Sequence, residues 1–123
     1  MKFCLITNLY PPYVKGGAER VVELLAQGLR SQGDVLVITT QPENSLDHVV
    51  QAGLEICRIN PLNSYYLLDV RPKSPWVKIK WQGRDFFNSP VQTTVYRLLK
   101  SRQVDVVLTH NLKGLGLGLP KVI

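Results

Sequence analysis

KFCLITNLYPPYVKGGAERVVELLAQGLRSQGDVLVITT, residues 2–40, reads as strand, loop, helix and strand. Lys2 to Thr7 is a short apolar run with Phe3, Leu5 and Ile6, as a strand buried on both faces of a parallel sheet requires. Pro11 and Pro12 then offer no backbone donor, so the chain must leave the ladder. After Gly16 and Gly17, Ala18, Val21, Val22, Leu25, Ala26 and Leu29 recur at steps of three and four, which predicts a helix with one apolar face. Gly33 reads as its left-handed stop. Asp34 leads into a second strand, Val35 to Thr40, rich in β-branched residues. Strand, crossover helix and parallel strand form a right-handed unit.

In an open parallel sheet, ligands bind beyond the carboxyl ends of the strands. Gly16 and Gly17 lie there, where backbone N–H groups without a shielding Cβ and a helix N-terminus both favour a phosphate, and Lys15 adds charge. KGGAER matches neither the dinucleotide fingerprint nor the P-loop. The same glycines equally serve a proline-stiffened loop that simply has to turn into a helix.

The 123 residues predict a single domain with one core. An apolar share of 45% and a charged share of 20% are those of a soluble globular chain. No apolar run is long enough to span a membrane, and MKFCLIT, followed at once by prolines, lacks a secretory pattern, so the expected location is cytoplasmic. Cys4 and Cys57 sit in strand-like runs and are expected to be free, buried thiols. With His48 and His110 they show no ligand-spaced cluster, so no metal is expected and His48 is assigned no role. The formal charge of +6 favours anionic partners without choosing among nucleic acid, phosphorylated substrate and membrane surface.

Beyond Gln41, residues 46–51 read either as a short helix or as the first arm of a hairpin whose second arm is Leu54 to Ile59. Tyr65 to Leu68 form an apolar cluster between prolines, expected to pack onto the domain. RPKSPWVKIKWQGRDFFNSP, residues 71–90, interleaves Lys78, Lys80 and Arg84 with Trp76 and Trp81. A helix from Pro75, capped by Ser74, puts Trp76, Ile79, Gly83 and Phe86 on one side, flanked by Val77 and Trp81. Three readings fit: an interfacial helix on anionic lipid, a groove for single-stranded nucleic acid, or aromatic anchors in the core amid solvated lysines. Ser89-Pro90 starts another helix, with Val91, Val95, Leu98 and Leu99 as its stripe, running to Arg102. Asp105 to Thr109 reads as a strand ending at His110 and Asn111, whose polar groups face the same crevice as the glycine loop. His110 there is either a structural side chain or one that contacts a sugar or phosphate or takes a proton. The glycine-leucine alternation after Lys113 offers no covering helix, leaving an apolar strand face open to self-association.

The opening KFCLITNLYPPYVKGGAERVVELLAQGLRSQGDVLVITT, together with DVVLTHNLKGLGL at 105–117, resembles family 4 glycosyltransferases of the GT-B type. The resemblance implies a Rossmann-like doubly wound parallel sheet, with residues 1–123 forming an incomplete N-terminal, acceptor-side domain. It implies retaining transfer of a sugar from a nucleotide-sugar, needing no metal or other cofactor, to a sugar or lipid-linked acceptor. Gly16 and Gly17 would meet the donor phosphates, His110 would be the catalytic side chain beside the transferred sugar, and Asn111 and Lys113 would touch the acceptor or sugar. Trp76, Lys78, Lys80, Trp81 and Arg84 would make a peripheral contact at the inner membrane surface. The family commonly carries two histidines separated by one residue, whereas Leu108 stands at the first position here. No Glu-x₇-Glu spacing of the donor-binding half occurs, so the chain is expected to be inactive alone. The contrasting expectation is a module that binds an anionic ligand, a membrane surface or nucleic acid without chemistry.

Overall fold

A computed structural model describes residues 1–43, 47–51, 53–60, 73–86, 89–112 and 115. The chain order is β1 (Lys2–Thr7), α1 (Gly17–Leu29), β2 (Asp34–Thr40), β3 (Asp47–Gln51), β4 (Leu54–Ile59), α2 (Pro75–Phe86), α3 (Ser89–Arg102) and β5 (Val106–His110). The five strands lie in the order β3-β4-β2-β1-β5, all parallel except β3, which pairs antiparallel with β4. This is a Rossmann-like, doubly wound α/β sheet.

Strand parity decides which helix each side chain meets. Phe3, Leu5, Val35, Val37, Leu54 and Ile56 pack with Val22 and Ala26 of α1. Cys4, Ile6, Leu36, Ile38, Cys57 and Ile59 take the opposite face with Val91 and Val95 of α3, joined by Leu115. Burial on both faces is why β1 and β2 read as continuous apolar runs instead of alternating ones. Each buried aliphatic side chain contributes about 1.5–3 kcal/mol, so these two clusters hold the helices against the sheet.

The local expectations for 46–59 resolve to the hairpin, with Gly53 at φ +84 in its turn. Ser74 caps α2, its Oγ accepting from Val77 N–H at 3.3 Å. Gly33 is a correction. Helix α1 ends at Leu29 with Arg30 still right-handed, and its last carbonyls accept from the Ser31 hydroxyl and from Gln32 N–H. Gly33 is required for a different reason: a Cβ there would lie 2.0 Å from the Met1 carbonyl oxygen. The apolar face of α1 is also narrower in contact than in sequence, since Val21 and Leu25 are 61% and 44% exposed while Val22 and Ala26 are buried. Among the described residues strand β5 is an edge, and Leu108 on it is 40% exposed. The Tyr65–Leu68 cluster lies outside the described residues.

Cys4 and Cys57 are free and buried. Burial pushes the Cys4 thiol up to about 12 and the Cys57 thiol up to about 11. Because the thiolate is the nucleophile, both are expected to resist iodoacetamide at pH 8 in the native state and to alkylate fully in denaturant. Intact-mass measurement reads the difference, and rapid native labelling would contradict the packing described.

Candidate active site

The strand order reverses between β1 and β5. From β1 the chain crosses by α1 to β2 on one face, and α3 on the other face leads back to β5. At such a point the loops leaving neighbouring strands diverge and open a crevice. Thr7 is in register with His110, and Asn8 N–H donates to the Asn111 carbonyl at 3.0 Å. Asn111 adopts a left-handed φ of 49, which asparagine tolerates better than most residues. The loop from β1 leads directly into the N-terminus of α1. Gly16, Gly17, His110 and Asn111 are thus on one rim of the sheet, and all four are exposed.

The loop carrying the glycines is pinned from below. Leu9 and Tyr10 are buried. Arg58 of β4 donates from Nη2 to the Pro11 carbonyl at 2.8 Å and from Nη1 to Asp47 at 3.3 Å. The Thr40 hydroxyl donates to the Asn8 carbonyl, and the Tyr13 hydroxyl to Glu43 at 3.2 Å. Arg58 escaped the sequence reading, although a guanidinium inside the apolar run Leu54–Ile59 is itself a signal that something must satisfy it.

At the start of α1, Glu19 matters as much as the glycines. Its Oε2 accepts from Gly16 N–H at 2.9 Å, and the residue is only 7% exposed. The Gly16 amide is therefore already satisfied, and a carboxylate already complements the helix dipole. The first-turn amides of Gly17 and Ala18 have no acceptor within a helix by geometry. A Cβ added at Gly17 would meet nothing within 4 Å, so space for an approaching anion is open there. The phosphate-facing capacity expected of the glycine pair thus centres on Gly17, with exposed Lys15 beside it.

His110 is an exposed imidazole without a hydrogen-bond partner among the described residues. Lys113 lies outside the described residues. In α2, Trp76 is 78% exposed, but Trp81 is only 3% exposed. Trp81 is therefore an inward anchor, and its assignment to a membrane contact is corrected. Helical period explains the split, since five residues turn the side chain by more than a third of a circle. Among the described residues no helix is long and apolar enough to cross a membrane.

The antiparallel register of β3 on β4 assembles a cluster that sequence spacing concealed. His48 Nε2 lies 2.7 Å from Glu55 Oε1, and Arg102 of α3 donates to the same oxygen from Nε at 2.8 Å. The donor atoms of His48, Glu55 and Cys57 lie within 4.8 Å of one another. The Arg102 guanidinium occupies the carboxylate and would repel a second cation, so the group acts as a clamp between α3 and the sheet. Burial raises the Glu55 pKa, but hydrogen bonds from Arg102 and His48 outweigh it and hold the carboxyl below its usual range. A carboxylate depressed in the folded state stabilises above its unfolded pKa of about 4.3, and that contribution is lost as pH falls through the folded value. Glu55→Gln is expected to cost about 1–3 kcal/mol at pH 7. The gap should close on acidification, and urea melts across pH measure it; a pH-independent gap would contradict the clamp.

A depression of about 220 Å³ at the amino end of the sheet, lined by Lys2, Asp34, Gly53 and Glu55, lies far from the rim that carries His110.

Comparison with known proteins identifies the family. The model of Glycosyltransferase Family 4 matches residues 15–123. The chain is 30% identical over 116 residues to an "Uncharacterized 42.6 kDa protein in cps region" of Klebsiella pneumoniae, covering 94% of this chain. It spans 31% of that relative's length. No solved structure matches. With the family model matching residues 15–123 of a doubly wound α/β sheet, this chain belongs to glycosyltransferase family 4.

Proposed function

We propose that residues 1–123 form the acceptor-side, N-terminal domain of a retaining GT-B glycosyltransferase whose donor is a nucleotide-sugar. The observation that carries this reading is the shared rim: the α1 N-terminus and His110 flank the β1–β5 crevice, linked by the Asn8–Asn111 hydrogen bond of 3.0 Å. The Gly17 amide, with Gly16 and Lys15 beside it, faces the donor phosphates, where the helix N-terminus favours negative charge. His110 lies against the transferred sugar, and Asn111 and Lys113 contact sugar or acceptor hydroxyls. The bond from the sugar's anomeric carbon to the phosphate oxygen breaks, and the acceptor oxygen bonds to the same carbon on the same face. The acceptor proton leaves with the phosphate. Its reducing, cytoplasmic setting accords with two buried free thiols.

The remaining length of the relative, of which this chain covers 31%, is room for a donor-binding half. Held alone, this domain contributes only one wall of the cleft. The purified chain is therefore expected to release no nucleoside diphosphate from any common nucleotide-sugar, with or without acceptor. Turnover by this chain alone would contradict the assignment of the missing work to a second half.

A further inference from the structure

Residues 73–102 carry seven basic side chains and one acidic one, whereas the rest of the chain holds eight of each sign. The whole formal charge of +6 thus resides on α2, α3 and the residues just before them. Helix α2 is anchored by Trp81, which is 3% exposed, and a helical wheel sets Trp76, Ile79 and Gly83 on the side opposite it. Trp76 and Ile79 are 78% and 59% exposed. Lys80 borders that outward stripe, while Lys78 and Arg84 stand on the two flanks of the helix between the stripe and Trp81, all three exposed.

We propose that this face of α2 is a docking surface for an anionic lipid bilayer. An indole and an isoleucine facing water beside lysines suit the headgroup boundary, where the ring and alkyl group leave water and the ammonium groups stay in it. Nucleic acid fits less well, because successive bases need several open rings. Among the described side chains of α2, one of the two tryptophans is buried and the outward neighbour of the other is aliphatic. A second copy of the chain is disfavoured by repulsion between two faces of the same sign.

The carboxyl end of α2 also stands close to the cleft. Arg102 at the end of α3 reaches Glu55 near the start of β4, while Val91 near the start of α3 packs with Ile38 and Ile59 near the ends of their strands. Helix α3 therefore begins at the carboxyl rim, and α2 ends at Phe86, three positions before it. Docking α2 holds the crevice beside His110 next to the bilayer, within reach of an acceptor carried on lipid. The lipid surface is proposed independently of sugar transfer, and its test uses neither donor nor acceptor.

The test is sedimentation of the full chain with phosphatidylcholine vesicles, with and without phosphatidylglycerol, and with tryptophan emission recorded. Recovery with the anionic vesicles only, a blue shift and reversal by salt are expected. Trp76→Ser is expected to weaken partitioning at least tenfold and to abolish the blue shift. Replacing Lys78, Lys80 and Arg84 together by glutamine is expected to weaken it roughly a hundredfold. These side chains are exposed, so circular dichroism should show unchanged folds. Equal recovery with both vesicle types, or unaltered binding by either variant, would overturn the proposal. Binding of a single-stranded oligonucleotide, or Trp76-dependent dimerisation, with no vesicle recovery would overturn it too.

Discussion

His110→Ala, introduced into the two-domain enzyme proposed above, is expected to lower kcat for sugar transfer roughly 10²–10³-fold, the range for removing a positioned hydrogen-bond donor from developing charge. The thermal midpoint should stay unchanged, because His110 is exposed at the end of an edge strand and has no hydrogen-bond partner among the described residues. A group acting on the transferred sugar only as charge develops would lower kcat and kcat/KM together. His110→Gln separates two roles. It can still hydrogen-bond a sugar hydroxyl but cannot take a proton at neutral pH, so substantial rescue identifies positioning and none identifies proton transfer. Stopped-time assays of nucleoside diphosphate release supply the rates. A variant with wild-type turnover would remove His110 from the reaction.

The largest effect on stability is expected at Gly33. A Cβ there would lie 2.0 Å from the Met1 carbonyl oxygen and 3.0 Å from its carbon, both backbone atoms. That carbonyl accepts from Asp34 N–H at 3.2 Å, at the start of the β1–β2 pairing. Relief therefore has to move Met1 away and open the first rung between the two central strands. Gly33→Ala is expected to destabilise by about 1–3 kcal/mol in urea melts, the range for overpacking a fixed site. Gly17→Ala is the matched control. Nothing lies within 4 Å of the added Cβ and the position is helical, so stability should hold or rise while donor binding falls. Loss of stability at Gly17 with none at Gly33 would contradict the packing on which the fold rests.

Much of the fold was legible because its signals are local. The apolar runs of β1 and β2, the Ser74 and Ser89-Pro90 helix starts and the Gly53 turn are each set by a few neighbouring residues. The placing of Gly17 and His110 on one rim rests on parallel strands, since one follows the carboxyl end of β1 and the other ends β5. What remained hidden depends on contacts far apart in sequence. Arg102 meets Glu55 across 47 positions, and Arg58 supports Pro11 across the same interval. Gly33 looks like any helix stop until Met1 is seen beside it. The orientation of α2 was undetermined for a related reason: aromatics occur on both sides of the helix, and only tertiary packing chose Trp81 over Trp76 as the buried one. Glu19 carries no sequence signal beyond that of an ordinary helical acid, yet its carboxylate fills a position that the glycine loop suggests for a ligand.

We propose that the Gly17 amide and the His110 imidazole line one cleft for a nucleotide-sugar. Titrating the isotopically labelled chain with a nucleoside diphosphate, and following backbone amide shifts by NMR, tests it most directly, because even millimolar binding is visible. Shifts confined to Gly17, Ala18 and the His110–Asn111 turn, and reduced in Gly17→Ala, are predicted. Shifts gathered instead at the amino end of the sheet around Lys2 and Gly53, or none at saturating nucleotide, would contradict it.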